Sequence, residues 1–96
     1  MANRYRTGRR LEWQARAELR AQGFCVSRSA GSKGNVDLFA WNSRQMRLIQ
    51  IGVKTRAEIA LLLKTTPVPP GSRLEWWRRI TKSNKATWQV VILKER

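Results

Sequence analysis

The chain contains no histidine, one cysteine (Cys25) and one aspartate (Asp37). With a single thiol and no imidazole, a zinc site is nearly excluded and an internal disulfide is impossible, so folding requires no oxidising compartment. Acid of any kind is scarce: six Asp and Glu stand against twenty Lys and Arg, a net charge of +14. No apolar run approaches the roughly 20 residues that cross a bilayer, and charged residues occupy the N-terminus where a secretory signal is apolar. A membrane partner is therefore not expected, and a cytoplasmic setting is. The three prolines all fall at positions 67–70, which leaves the rest of the chain free to form regular elements.

The excess of cations runs through the whole chain rather than through a detachable tail, so the folded body itself is positive. Such a body attracts polyanions, with an affinity that falls steeply as salt rises. Five tryptophans are interleaved with these cations, the composition of a nucleic-acid-binding surface. At 96 residues the chain supports one compact domain, 1–96, with residues 1–7 as a basic arm. A separate recognition domain does not fit, and a site shared across a dimer becomes an economical arrangement.

Hydrophobic spacing predicts a helix from about Arg9 to Gln22, stopped by Gly23, with Leu11, Ala15 and Leu19 facing inward. Phe24–Arg28 reads as a strand in which Cys25 packs as a small apolar residue. Ser29–Asn35 is a Gly/Ser/Asn loop, and Val36–Trp41 a second strand with Val36, Leu38 and Ala40 on one face and Asp37 and Phe39 on the other. After a turn at 42–45, a third strand spans Met46–Lys54, its period of two placing Gln50, Gly52 and Lys54 together. A short helix covers Arg56 to about Lys64. Strands at Leu74–Ile80 and Thr87–Lys94, joined by a turn through Ser83 and Asn84, complete the chain. Because Val90–Leu93 is apolar on both faces, the last strand is expected to be buried on both sides. The order α-β-β-β-α-β-β defines a single α/β domain with a central mixed sheet flanked by helices.

Asp37 opens a strand directly after a pliable loop, and Lys54 ends the next strand. A carboxylate and an ammonium so placed suit a divalent cation held beside a phosphate, the arrangement that phosphodiester cleavage needs. An ordinary cross-strand ion pair explains the same two residues. Glu12, beside the apolar stripe of the first helix, either points along the protein body toward such a site or pairs with Arg16 one turn on. Trp76 and Trp77 are consecutive in a strand, so at most one is a core residue, and Arg78, Arg79, Lys82 and Lys85 nearby form a candidate phosphate-contacting patch.

Gly8-Arg9-Arg10-Leu11-Glu12, Gly23-Phe24, Arg28-Ser29-Ala30-Gly31-Ser32, Val36-Asp37-Leu38 and Val53-Lys54-Thr55-Arg56 resemble, in order and spacing, the archaeal-type Holliday junction resolvases and their phage relatives. These belong to the restriction-endonuclease-like superfamily with its Asp…Glu-x-Lys signature. The resemblance implies a homodimeric endonuclease, dependent on Mg2+ or Mn2+ and on no small-molecule cofactor, that resolves four-way DNA junctions in recombination and repair by paired symmetric nicks. It implies that Asp37 binds metal, Lys54 is the catalytic lysine, Glu12 is the helix glutamate at the metal site and Ser32 is the loop serine needed for cleavage. It also implies that the main-chain carbonyl of Val53 faces the metal and that Arg28 lies near the junction. Arg4, Arg6, Arg9 and Arg10 in the N-terminal segment, Lys33 in the loop, Arg56, and Arg78 with Arg79 are the further candidate DNA contacts.

Gly52 departs from the pattern, because it occupies the position of the second acidic ligand. Gln50 is a possible substitute on the same strand face, about 7 Å away. Two readings follow: an active nuclease with a thinner metal site, or a catalytically impaired junction-binding protein on the same scaffold. A nuclease for other branched or linear DNA is a third. On the period-two reading, Gly52→Glu restores the missing ligand and tightens metal binding.

Overall fold

The computed structural model describes residues 4–29 and 36–96, with side chains from residue 9 onward. Helix α1 spans Arg4–Ala21, and the strands are β1 (Cys25–Arg28), β2 (Leu38–Trp41), β3 (Met46–Ile51), β4 (Ser72–Lys82) and β5 (Lys85–Glu95), with helix α2 (Arg56–Thr65) between β3 and β4. One five-stranded sheet runs β1-β2-β3-β4-β5. Neighbours are antiparallel except β3 and β4, which are parallel and joined through α2. The expected α/β architecture and element order are therefore those observed.

Local chemistry explains where the elements stop. Helix α1 ends because Gly23 adopts φ +89°, a left-handed conformation that costs glycine no Cβ clash. Its N–H donates to the Arg20 carbonyl at 3.0 Å and that of Phe24 to Leu19 at 3.1 Å, the paired bonds of a Schellman cap. The helix begins at Arg4, so four residues of the expected arm are helical. At α2, Thr55 and Glu58 form a reciprocal capping box, and the prolines from position 67 prevent continuation.

Adjacent residues of β3 face opposite sides of the sheet and so organise two cores. Ile49 and Ile51 join Leu38, Ala40, Trp77 and the α1 residues Ala15 and Leu19 on one face; Leu48 joins Leu74, Val68 and Val36, with Leu62 of α2, on the other. Val36 therefore packs on the opposite side from Leu38 and Ala40, contrary to the alternation expected of a strand starting at Val36, because β2 begins only at Leu38. β3 likewise ends at Ile51 rather than Lys54, and Val53 beyond it is 90% exposed.

Two further expectations are corrected by strand order. β5 is an edge strand, not buried on both sides, and Val90 and Ile92 are 40% and 50% exposed because α1 covers the other end of the sheet. β1 is the opposite edge, which leaves Cys25 exposed rather than packed. Among the described residues no helix is long and apolar enough to cross a membrane.

Glu75 is wholly buried in the centre of β4. Arg47 of β3 donates to both its oxygens at 2.7 and 2.8 Å, Trp77 Nε1 donates to Oε1 at 2.7 Å, and Arg73 Nε adds a further hydrogen bond. Burial pushes this carboxyl up, but the hydrogen bonds from Arg47 and Trp77 outweigh it and hold the group below its ordinary value of 4.5. Glu75→Gln leaves two guanidiniums without their anion, and a loss of roughly 3–5 kcal/mol in urea unfolding at pH 7 is expected. A carboxyl depressed by folding stabilises the protein above its unfolded pKa, and that contribution disappears as pH falls through the folded value. The stability gap between wild type and Glu75→Gln should therefore narrow as pH drops below 4.5; a gap constant with pH would remove the ionised carboxylate from the account.

Candidate active site

In a parallel pair, alternate N–H groups of β3 point toward β4, and Gly52 N–H follows this rule by donating to the Trp77 carbonyl at 3.0 Å. The intervening N–H of Ile51 therefore points toward β2, where the ladder has run out. The Asp37 carboxylate takes its place as acceptor: Oδ2 receives Ile51 N–H at 2.8 Å and Gln50 Nε2 at 3.0 Å. The Asp37 backbone is pinned as well, its N–H donating to Ile49 at 2.8 Å and its carbonyl accepting from Ser29 at 3.0 Å. Among the described residues Oδ1 accepts no hydrogen bond.

Gln50 connects Asp37 to Lys54. It lines a cavity of about 220 Å³ together with Lys54, Glu58 and Leu62 on the α2 face. Lys54 is held loosely, its Nζ 3.9 Å from Glu58 Oε2. Backbone and side-chain hydrogen bonds from Thr55 hold the Glu58 carboxyl below its ordinary value, with Lys54 adding to the effect. Glu58 escapes a search for catalytic motifs, yet the Thr-x-x-Glu capping signature at Thr55–Glu58 is readable and puts a carboxylate one turn after Lys54.

Glu12 lies along the protein body rather than out in water, its side chain 15% exposed. It does not pair with Arg16, whose guanidinium lies 5.5 Å from the centre of the Trp13 ring. Instead its Oε1 lies 2.5 Å from Arg28 Nε at the end of β1, an ion pair in which the buried oxygen accepts no hydrogen bond. Among the described residues no ion pair or hydrogen bond joins Glu12 to Asp37 or Lys54, and no three acidic, Cys or His side chains converge.

Gly52 has φ +117°, a region that side-chain-bearing residues rarely adopt, although a Cβ there would meet no atom within 4 Å. Trp76 Nε1 donates to its carbonyl at 2.6 Å and locks this conformation, a role that strand alternation alone does not disclose. The shared strand face expected for Gln50, Gly52 and Lys54 thus breaks at Gly52.

Arg10 and Arg56 are exposed, as is Arg9, and Arg78 and Arg79 are half-buried against tryptophans. Ser32 and Lys33 lie outside the described residues, as do the side chains of Arg4 and Arg6. A cavity of about 690 Å³ lies between α1 and the β4–β5 hairpin; Arg79 lines it, but Asp37 and Lys54 do not.

A family model described as archaeal Holliday junction resolvase (Hjc) matches residues 3–85. The chain belongs to this family. Membership implies a junction-resolving nuclease of DNA recombination and repair, and the match carries the resemblance beyond Arg56 through α2 and β4. It bears on the archaeal family and not on the phage kinship. No curated protein and no solved structure matches the chain.

For this resolvase the conformation of Gly52 reverses the simplest engineering expectation. Gly52→Ala and Gly52→Glu should each cost about 1–3 kcal/mol in backbone strain, seen as similar falls in the unfolding midpoint. A Glu variant with undiminished stability and tighter Mn2+ binding would restore the simpler idea of a missing ligand.

Proposed function

We propose that the protein is a metal-dependent, homodimeric endonuclease that resolves four-way junctions by paired symmetric nicks. The observation that carries this reading is the Asp37 carboxylate, clamped through one oxygen at the broken end of the β2–β3 ladder and next to the cavity that Lys54 enters. Mg2+ is commonly held by one or two carboxylates, with waters and substrate phosphates completing its shell. The donors present fit a thin site of that kind: Asp37 Oδ1, the Val53 carbonyl and, after rotation of its amide, Gln50. Glu12 would join when Arg28 moves to a DNA phosphate and releases its carboxylate. When bound, such a cation activates water and neutralises charge on the leaving oxygen.

Asp37 contributes a fixed ligand because its Oδ2 is already committed to the backbone of β3. Lys54 contributes a mobile positive charge for the scissile phosphate, since Glu58 holds it only weakly. The exposed arginines of α1 and α2 contribute phosphate contacts. Incubation of labelled four-way junction with protein and Mg2+ or Mn2+ should give two symmetric nicks. Asp37→Asn should slow cleavage by at least the ~100-fold that loss of a partner in a metal site costs, while junction binding persists. Junction binding without nicking by the wild-type chain would favour the impaired-scaffold reading, and equal affinity for junction and linear duplex would remove the preference for four-way DNA.

Paired nicks need two sites, and each chain carries one. α2 has no fully buried residue; one side of it presents Leu63 at 36% exposure, and Val53, before its start, is 90% exposed. A shallow cavity of about 300 Å³ lined by Ile59, Leu63 and Trp76 continues this apolar face. A two-fold contact through α2 would cover it and place Lys54 of each chain near the dimer axis. Light scattering should give the mass of two chains for wild type and of one for Leu63→Glu; a monomeric wild type would refute the contact.

A further inference from the structure

The last pair joining β3 to β4 is Ile51↔Trp77, but β4 and β5 continue together beyond it. Arg78↔Gln89, Arg79↔Trp88, Ile80↔Thr87, Thr81↔Ala86 and Lys82↔Lys85 extend the two-stranded ladder. At about 3.3 Å per residue this ribbon projects roughly 17 Å from the end of the sheet that carries Gln50, Ile51 and Gly52. Ser83 and Asn84, at φ +51° and +63°, close it in a two-residue turn whose hand matches strand twist, so the ribbon is tight to its tip.

Its chemistry is one-sided. No acid occurs between Glu75 and Glu95. Arg78 and Arg79, consecutive and so on opposite faces, are each laid over a tryptophan, 5.0 Å from the Trp76 centroid and 4.7 Å from that of Trp88. Arg78 is further fixed by donating to Gln89 Oε1 at 2.6 Å. At the tip, Lys82 and Lys85 stand directly across from one another, and like charges so placed destabilise a ladder. Nothing in the folding of this hairpin explains that pair, whereas an external anion does. β4, the turn and Lys85 fall within the family match, and β5 from Ala86 onward lies outside it.

We infer that the overhanging β4–β5 ribbon enters the major groove of a duplex arm of the bound DNA, with Lys82 and Lys85 on flanking phosphates and the stacked Arg78 and Arg79 nearer its base. A two-stranded ribbon fits the B-DNA major groove, about 12 Å wide. This deepens the DNA-binding reading above and rests on it. The test measures binding of wild type, Lys82→Ala/Lys85→Ala and Lys82→Gln/Lys85→Gln to four-way junction and to linear duplex, without divalent metal, from 50 to 200 mM salt. Both variants should melt no lower than wild type, because a repulsive pair is removed. They should lower the log–log salt slope by about two for each bound chain and weaken both DNAs roughly tenfold or more. Dimethyl sulfate should show guanine N7 atoms on one arm protected by wild type and released by the variants. Unchanged slopes in folded variants, or N7 atoms as reactive in the wild-type complex as in free DNA, would overturn the proposal. Both readouts work without cleavage, so a chain that binds through the ribbon yet cuts nothing would cost the endonuclease reading and leave this one standing. A chain that nicks junctions with slopes unaffected by the lysines would do the reverse.

Discussion

The carboxylate of Glu75 is the constraint on which the rest of the molecule depends. β3 and β4 are parallel and joined only through α2, so no tight turn sets their register. A wholly buried anion on β4 that engages Arg47 of β3, Trp77 of its own strand and Arg73 does set it. A shift by one residue would turn the anion to the other face and leave Arg47 buried without a partner, a penalty far larger than a misplaced methyl group would carry. Arg47 spreads the constraint further, since its guanidinium also lies 4.9 Å from the Phe24 ring centre and donates to Gln22 at the end of α1. Buried charge used in this way specifies an arrangement more than it adds net stability.

That register delivers the candidate site. With Ile51 opposite Trp77, Gly52 binds the Trp77 carbonyl and receives the indole of Trp76, while Ile51 N–H is left facing the gap that Asp37 fills. Asp37 is thus partly a structural residue, because one of its oxygens completes the broken end of a sheet. That bonding explains how the chain's one aspartate can stay fixed without a second acid beside it. At Gly52, the carbonyl held by Trp76 and the positive φ together redirect the chain away from the strand before Lys54.

Much of this was legible from sequence because local rules govern it. The Gly23 stop, the Thr55 start of α2, the Ser83–Asn84 turn and the α-β-β-β-α-β-β order all follow from residues adjacent to the feature. Asp37 beside the β3 strand follows from two short strands in succession. What escaped depends on contacts distant in sequence or on strand order. Val90–Leu93 reads as buried because both faces are apolar, yet position at the sheet edge decides exposure. Glu12 finds Arg28 rather than Arg16 because α1 crosses the end of β1. Glu75 and Arg47, 28 residues apart, carry no local sign of each other. Glycine at position 52 is compatible with an extended strand and with φ +117°, and its identity alone cannot choose between them.

The same limits shape how so small a domain engages a large polyanion. In a small domain, reach can come from an element that already belongs to the sheet. An α-helix extended beyond the body would lose the packing that stabilises it, whereas a hairpin carries its own hydrogen-bond ladder outward and needs only a tight turn and a few cross-strand contacts. The Arg79–Trp88 stack and the Arg78–Gln89 hydrogen bond supply those contacts, while the Arg78–Trp76 stack along β4 also holds a guanidinium in place. The repulsion between Lys82 and Lys85 is tolerable because the ladder is anchored on a sheet whose central strands are locked by Glu75. A charge pattern unfavourable to the free protein is thereby kept available for an anionic partner.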